Sequence, residues 1–321
     1  MTPDQYKSMT FSHPDYIPIN TWVIPAAWIK YREKMDALVQ RHPLLFSNQP
    51  AARDYDQVAQ PTYHAGQHTD AWGCVWSNML HGHEAIVTHH PLPTRQHVHS
   101  LKAPTKDAGL PHGFMYLRLA DLRGFEELMM DFAEDAPELQ MLIDIVRDYN
   151  LRQVYLRLAD HAGKPADLMY FGDDLGMQTS LPMGPEKWRQ YLKPCFQKLY
   201  APVRASGNYI YMHTDGHIHE IIPDLIDCGV QVLNPQFRAN GLDNLARVAK
   251  GKVCINLDLD RQLFPYATPQ ELDRHVRDAI EALGSPDGGL WLYAEIDDAI
   301  PLENVDALWT ALEKYRGYFR A

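Results

Sequence analysis

Short apolar runs alternate with amphipathic stretches along the second half of the chain. Apolar runs that end in polar residues predict strands at 166–174, 208–216, 230–236, 252–260 and 289–297. Apolar residues at helical spacing predict helices between and after them, at 183–207, 221–229, 242–251, 268–284 and 302–316. Gly207 and Gly229 are typical helix ends, and Thr268 before Pro269 is a typical helix start.

The alternation of strand and helix, with short connections, indicates parallel strands joined by helical crossovers. The predicted strands are almost continuously apolar, as expected where a sheet is buried on both faces. Such units in half of the chain extrapolate to roughly eight over its whole length. The pattern therefore predicts an α/β fold, a single (β/α)8 TIM-type barrel that spans residues 1–321 as one domain. No Gly-rich phosphate-binding motif supports an open nucleotide-binding sheet instead.

The first half of the chain is less regular. Its apolar pattern predicts strands at 15–24 and 112–122, a helix at 26–43 that Pro43 ends, and a helical hairpin at 123–150. Residues 50–100 are rich in His, Thr, Pro and Gly. We expect them to form an irregular N-terminal elaboration, a loop or a hairpin, at one mouth of the barrel.

Composition and charge exclude several classes of partner. The chain has 41 acidic against 30 basic side chains and a formal net charge of -11, which argues against nucleic acid as a partner. No uncharged apolar stretch is long enough for a membrane span, and the first residues lack the features of an export signal. The four cysteines show no CxxC spacing, so we expect free thiols and a cytoplasmic location.

Polar residues follow one predicted strand after another. Because active sites of parallel barrels lie at the carboxyl ends of the strands, we expect these residues to form an electronegative, hydrogen-bonding mouth. The substrate-binding candidates among them are Asp173, Asp174, Gln178, Asn234, Gln236 and Asp260.

The stretch YMHTDGHIHE gathers the densest chemistry of the chain. His213 and Asp215 are two apart on an extended segment, so their side chains share one face of the strand end. They form either a metal pair or an acid–base pair, which Glu295 from the last strand would complete. Alternatively, Asp215 caps the next helix and His213 donates to a backbone carbonyl. We expect His217 and His219 to be solvated.

A second dense stretch is TDAWGC. It places Asp70 and Trp72 on one face of an extended segment, with Cys74 next in the series. This pair would hold a cationic or planar ligand, or keep a catalytic acid dry. The alternative is a turn aspartate beside a core tryptophan.

Two motifs give the chain a family resemblance. The order GDD, a Pro-centred helix, HTDG and IPDLIDCGVQVLNP, over about residues 165–236, resembles the uroporphyrinogen decarboxylase superfamily. DAWGC and GGLWLYAEIDDAIPLENVDAL extend a weaker likeness over most of the chain. The superfamily also contains cobalamin-dependent methyltransferases. The resemblance implies a single (β/α) barrel with its cleft at the carboxyl ends of the strands, a small-molecule substrate and, in many members, a homodimer.

The methyltransferase branch implies a zinc ion and a corrinoid carried by a partner protein. Its members hold the zinc with His-x-Cys-Gly and a second Cys near the last strand. Here His213 matches, but Asp215 stands at the first Cys position and Ile296, beside Glu295, at the second. The resemblance therefore implies His213, Asp215 and Glu295 as metal ligands, without the thiolates that suit zinc-activated thiols. The resemblance implies an acceptor that is a thiol or of the tetrahydrofolate type, and we expect no covalently attached cofactor.

The decarboxylase branch implies a metal-free site. There an aspartate, whose counterpart would be Asp70, orients pyrrole nitrogens, and an N-terminal arginine loop binds the carboxylates of the substrate. This chain has no Arg before Arg32. A decarboxylase or lyase acting on a less anionic substrate is therefore the alternative to methyl transfer, and an inert barrel that serves as a binding subunit is the third hypothesis.

Overall fold

The computed structural model describes residues 1–46 and 53–320 of the chain. The strands are β1 (Ile19–Val23), β2 (Gly66–Thr69), β3 (Val75–Asn78), β4 (Ile86–His89), β5 (Leu168–Gly172), β6 (Tyr209–Thr214), β7 (Val232–Pro235), β8 (Cys254–Asp258) and β9 (Leu290–Ile296). The helices are α1 (Pro3–Met9), α2 (Pro25–Tyr31), α3 (Glu33–Arg41), α4 (Tyr116–Arg123), α5 (Phe125–Ala133), α6 (Pro137–His161), α7 (Gly184–Tyr191), α8 (Lys193–Ala205), α9 (Ile222–Cys228), α10 (Phe237–Asn240), α11 (Leu242–Val248), α12 (Pro269–Leu283) and α13 (Leu302–Tyr315).

The chain divides into two compact units. The first unit contains Met1, His68–Trp76 and Val87–Pro235. The second unit contains Thr2–Gln67, Ser77–Ile86 and Gln236–Ala321.

The first unit is built on three neighbouring parallel strands. β6 pairs with β5 on one side and with β7 on the other. The register places Gly172 opposite His213, and His213 opposite Asn234. Because the strands are parallel, the segments that follow them leave the sheet at the same edge. Helices α7, α8 and α9 connect these strands, which confirms the predicted alternation.

The second unit repeats the arrangement. β9 pairs in parallel with β1 and with β8. Every residue of β8 is buried, as expected for a strand covered on both faces. α12 begins at the predicted Thr268, whose hydroxyl accepts from the Glu271 backbone while the Glu271 side chain accepts from the Thr268 backbone.

The strand predicted at 112–122 is wrong, because Tyr116–Arg123 is helix α4. Leu119 and Leu122 are fully buried, and together with Met115 they recur at helical spacing. The carboxylate of Asp173 accepts from the first two backbone N–H groups of this helix, at 2.5 Å from Tyr116 and 2.9 Å from Leu117. A distant carboxylate therefore caps the helix, and the local pattern does not show it.

Two predicted helices are each divided in two. The helix predicted at 183–207 ends at Tyr191 and restarts at Lys193, with Pro194 in the first turn of α8. The helix predicted at 26–43 breaks at Arg32, whose φ is 45°. The hairpin predicted at 123–150 is confirmed as α5 and α6, although α6 continues to His161.

The segment at 50–100 contains secondary structure of its own. Strands β2, β3 and β4 form a three-stranded sheet in that order, and short 3-10 helices lie at Pro61–Tyr63 and Arg95–Ser100. Residues 50–52 of the predicted elaboration lie outside the described residues. The four cysteines are free, as predicted, and all four are buried. No helix among the described residues is both long and apolar enough to cross a membrane.

His275 gives the second unit a predictable response to acid. The ring lies in α12 at 8% exposure, and its Nε2 accepts from the backbone N–H of Asp260 at 3.1 Å. Burial lowers its pKa to about 4, against the opposing charges of Asp260 and Asp278. Neutral His275 therefore contributes stability above pH 6.5 that is lost as the pH falls through 4, by up to about 3 kcal/mol.

This contribution is measured from the free energy of unfolding between pH 7 and pH 4. His275→Gln keeps an acceptor for the Asp260 N–H and removes the ionisable ring, so we expect it to lose less stability on acidification than the wild type. His161→Gln, at a ring outside the core, should follow the wild type. Parallel pH curves for His275→Gln and the wild type would contradict the expectation.

Candidate functional site

Three neighbouring strands of the first unit bring polar side chains together where they end. His213 lies on β6, Asn234 on β7, and Asp174 follows β5. The register opposes His213 to both Gly172 and Asn234. The site therefore follows from parallel pairing of three strands that end in polar residues, as the sequence predicts.

His112 joins this group from outside the strands. Its Nε2 lies 3.1 Å from Oδ2 of Asp174, and its ring centroid lies 5.4 Å from that of His213. The backbone N–H of Gly113 donates to the Gly172 carbonyl, which holds the segment against β5. A Cβ at position 172 would lie 2.7 Å from His112 Nδ1, so the glycine makes room for the ring. The sequence analysis missed His112, because the strand predicted at 112–122 gave it no place at a strand end.

Asn234 fixes the orientation of the His213 ring. Nδ1 of His213 lies 2.8 Å from Asn234 Oδ1, an acceptor, so Nδ1 carries the proton. The lone pair of the neutral ring is then on Nε2, which lies 3.4 Å from Asp215 Oδ1 and 3.8 Å from Asp174 Oδ1. The alternative expected for His213 is therefore wrong, because its Nδ1 partner is a side-chain amide.

Asp215 also departs from the expected alternative. Helix α9 begins at Ile222 without a side-chain cap, so Asp215 does not cap it. Instead the Asp215 backbone N–H donates to Asp174 Oδ1 at 3.0 Å, and its carboxylate faces His213. His217 and His219, which were expected to be solvated, are half-buried, and their ring centroids are 4.4 Å apart.

Asp173 and Asp174 are adjacent in the chain, but their pKa values are shifted in opposite directions. Burial raises the pKa of Asp174, but the hydrogen bond and charge of His112, together with His213 and the Asp215 N–H, outweigh it, and the pKa lies below its ordinary value. Burial raises the pKa of Asp173 to about 7, against the two backbone donors of α4. Asp174 is thus an ionised carboxylate at neutral pH. Asp173, predicted to bind substrate, is fully buried and caps a helix.

Two glycines hold the site segments against each other. Gly176 lies two residues after Asp174, Gly216 directly follows Asp215, and the Gly176 N–H donates to the Asp215 carbonyl. A Cβ on Gly216 would lie 2.2 Å from the carbonyl carbon and oxygen of Gly176. The backbones therefore touch where no side chain fits, and this contact sets the spacing of the two carboxylates.

Three side chains among the described residues lie close enough together to hold a metal ion, and we call them the metal-ligating group. One ligand atom each from His112, Asp174 and His213 lie within 4.8 Å of one another. The ligand set predicted from the resemblance shares only His213 with it. Glu295 lies in the second unit, where it accepts from Arg261 Nη1 at 2.6 Å and from the Tyr293 hydroxyl at 2.9 Å. Glu295 is thus paired with a guanidinium, which cannot bind a metal, whereas the side chains beside Asp174 are imidazoles, which can.

Asp70, the third catalytic candidate, is surrounded by donors. Oδ1 accepts from the backbone N–H groups of Trp72 and Cys74, and Oδ2 accepts from Trp76 Nε1 and from Arg118 Nη1 at 2.6 Å. Burial raises its pKa, but Arg118 and the other donors outweigh it and the net direction is downward. Asp70 is thus an ionised turn residue in an ion pair. Its catalytic role stays a prediction.

Replacing Asp70 by asparagine tests whether this residue stabilises the fold through its ion pair or acts in catalysis. The change removes the closer counter-ion of Arg118, whose residue is 9% exposed, and leaves only Asp121 at 3.7 Å. We expect the free energy of unfolding in urea to fall by about 3 kcal/mol, as for other half-broken buried pairs. Asp160→Asn, at an exposed carboxylate of the same unit, should change it by less than about 0.5 kcal/mol. Wild-type stability combined with lost activity would instead support the catalytic role.

The other predicted residues are dispersed. Trp72 packs edge-on against Tyr149, with ring centroids 5.0 Å apart, and Gln178 is exposed. Asp260 lies in the second unit, where both its oxygens accept from Arg238 at 2.8 and 2.6 Å. Gln236 lies in the same unit, and its carbonyl accepts from Asn240. Of the predicted site residues, His213, Asp215, Asp174 and Asn234 lie together.

Comparisons with known proteins agree with this architecture. The profile of the family "Uroporphyrinogen decarboxylase (URO-D)" matches residues 115–315. A methyltransferase from Methanosarcina mazei is similar in structure, with a TM-score of 0.63 and 18% identity over 97% of this chain and 98% of that one. This likeness confirms the predicted α/β fold of the TIM-barrel type.

Other comparisons contribute less. A Xanthomonas albilineans dihydropteroate synthase with 4-aminobenzoic acid matches 46% of this chain and 52% of that one, with 19% identity and a TM-score of 0.31. Among curated proteins, none matches the sequence.

Proposed function

The chain belongs to the uroporphyrinogen decarboxylase family, and from this premise we propose that it moves a methyl group between a corrinoid protein and a small acceptor. The observation that supports the proposal is the group formed by His112, Asp174 and His213. A divalent metal held there would act as a Lewis acid that lowers the pKa of the acceptor.

The donor set fits such a metal. Imidazole nitrogen and carboxylate oxygen together suit zinc and other first-row divalent ions. His213 presents Nε2 because Asn234 holds its Nδ1, an arrangement typical of metal-binding histidines. Asp174 supplies the negative charge, since its pKa is lowered. The residues therefore offer two neutral ligands and one anion.

The ligand types of the metal-ligating group indicate which kind of methyl acceptor fits the site. Thiol-activating zinc sites use thiolate ligands, and the described metal group has none. We therefore propose a nitrogen acceptor of the tetrahydrofolate type over a thiol. Asp215, whose carboxylate lies 3.4 Å from His213 Nε2, is the group available to take up or return the acceptor proton.

A metal-free decarboxylase or lyase is the second candidate. The same contact between His213 and Asp215 favours it, because an imidazole beside a carboxylate is an acid–base pair without any metal. In that case the pair would protonate the carbon that loses carbon dioxide.

A spectral titration separates the two candidates. A methylated corrinoid protein is mixed with the enzyme and with tetrahydrofolate or a thiol, and the absorbance of the methyl–cobalt bond is followed. We expect demethylation that needs both the enzyme and an acceptor, and that is faster with tetrahydrofolate. An unchanged spectrum with every acceptor would contradict methyl transfer and leave the decarboxylase.

A further inference from the structure

A small cavity in the first unit lies among residues outside the metal-ligating group. Its volume is about 70 Å³, and its walls include Trp72, Phe114, Arg118, Tyr149 and Asn150. Ala108 and Gly109, which are exposed, also line it, so the cavity is reachable from the surface. The hydroxyl of Tyr149 accepts from the Ala108 N–H at 3.2 Å, which ties the two walls together. The cavity is therefore preformed and has room for a group of a few heavy atoms.

Arg118 brings unused donors to this cavity. Its side chain is 10% exposed. Within the described chain its polar contacts all run through Nη1, to Asp70, Cys74 and Asp121. The N–H groups on Nε and Nη2 are thus left for another acceptor. They are open to the cavity, so an oxygen of a ligand can accept from them in place of water.

The charges around Arg118 do not favour an anion. Asp70 already neutralises the guanidinium at 2.6 Å, and Asp121 lies 3.7 Å from the same Nη1. Burial raises the pKa of Asp121 to about 6, so this second carboxyl is largely ionised at neutral pH. The surroundings are therefore not positive overall, and a neutral acceptor enters at lower electrostatic cost than a carboxylate.

Asn150 adds an acceptor to the same walls. The residue is 2% exposed, and its Nδ2 donates to the Phe114 carbonyl at 2.7 Å. Among residues 1–46 and 53–320, no donor is bonded to its Oδ1. The edge-on rings of Trp72 and Tyr149 supply flat apolar walls. Together the walls offer a donor, an acceptor and aromatic faces.

We propose that this cavity binds a small neutral carboxamide group, whose oxygen accepts from Arg118 and whose N–H donates to Asn150. A carboxamide is of the size that the volume allows, and its carbon atoms would lie against the rings of Trp72 and Tyr149. The site is separate from the metal-ligating residues, so it stands or falls independently of the proposed methyl transfer.

Acetamide is the probe, observed by saturation-transfer NMR during a titration of the whole protein. We expect saturable binding with a Kd of about 1–10 mM, ordinary for a ligand of this size. Acetate, which adds a charge, and N,N-dimethylacetamide, which lacks the N–H, should bind at least about tenfold more weakly. Equal binding of acetate, or no saturable transfer from acetamide because water alone fills the cavity, would overturn the proposal.

Two variants locate the binding. Arg118→Lys keeps a cation for Asp70 and removes the planar fork, and we expect it to weaken acetamide binding at least about tenfold. Ala108→Leu fills the cavity from its rim and should have the same effect. The control for Arg118 is Arg157→Lys on α6, where the exposed arginine donates to the Tyr170 carbonyl at 3.4 Å, away from the cavity walls. Thermal unfolding first establishes that both test variants are folded. If both then bound acetamide as tightly as the control variant, the cavity would not be the binding site.

Discussion

Replacing His213 by alanine should lower the rate of methyl transfer by about a thousandfold. The change removes a nitrogen of the metal-ligating group and also the partner of Asp215, so the proposed Lewis acid and the proposed proton-transfer pair would both be lost. The measurement is the rate of demethylation of the corrinoid protein under saturating acceptor. His161→Ala is the control, since that ring bonds to the Pro165 carbonyl in a surface turn.

A smaller effect is expected at Asn234, which orients the ring of His213. Asn234→Ala leaves every ligand in place but frees Nδ1 of His213, so we expect a loss of about ten- to a hundredfold in metal affinity. If His213→Ala kept more than about a tenth of the wild-type rate, His213 would not be at the reacting centre. If Asn234→Ala lowered the rate of demethylation as much as His213→Ala does, the amide of Asn234 would have to touch the substrate itself.

Replacing Gly216 by alanine should destabilise the protein by roughly 3–5 kcal/mol, the largest stability effect that we expect at the site. The new Cβ would lie 2.2 Å from the Gly176 carbonyl, and backbone atoms on both sides cannot move away cheaply. The residue also has a φ of 84°, which disfavours any side chain. The measurement is the urea midpoint with its slope, which gives the free energy of unfolding.

The control variant Gly207→Ala separates the effect of the close contact from the effect of the positive φ. Gly207 has a φ of 81°, close to that of Gly216, but nothing lies within 4 Å of its Cβ position. This control should lose only about 1 kcal/mol, the effect of φ alone. Equal losses at the two positions would show that the contact between Gly176 and Gly216 does not hold the segments that carry Asp174 and Asp215.

The part of the site that the sequence predicts is the part set by the strands. An apolar run followed by a polar residue identifies a strand end, and parallel neighbours bring such ends together. His213, Asn234 and Asp174 therefore meet as expected. Their pairing needs only the period of the strands and the order of β5, β6 and β7.

The remaining part depends on long-range polar contacts. His112 reaches Asp174 because Gly113 bonds to β5 and because Gly172 has no Cβ in its way. The nearby α4 forms with Asp173, distant in sequence, as its cap. Neither contact has a local signal, although the glycine at the end of an apolar strand is a hint of close approach. For the same reason the sequence cannot show that Arg118 holds Asp70.

The metal content of the protein, purified without a histidine tag, tests the central claim most directly. We predict about one divalent ion per chain in the wild type, loss of that ion in His112→Ala and in His213→Ala, and full retention in Glu295→Gln. The His112 variant matters most, because the family resemblance does not name this residue and the structure does. A metal-free wild type, or a metal kept in His112→Ala and lost in Glu295→Gln, would contradict the account.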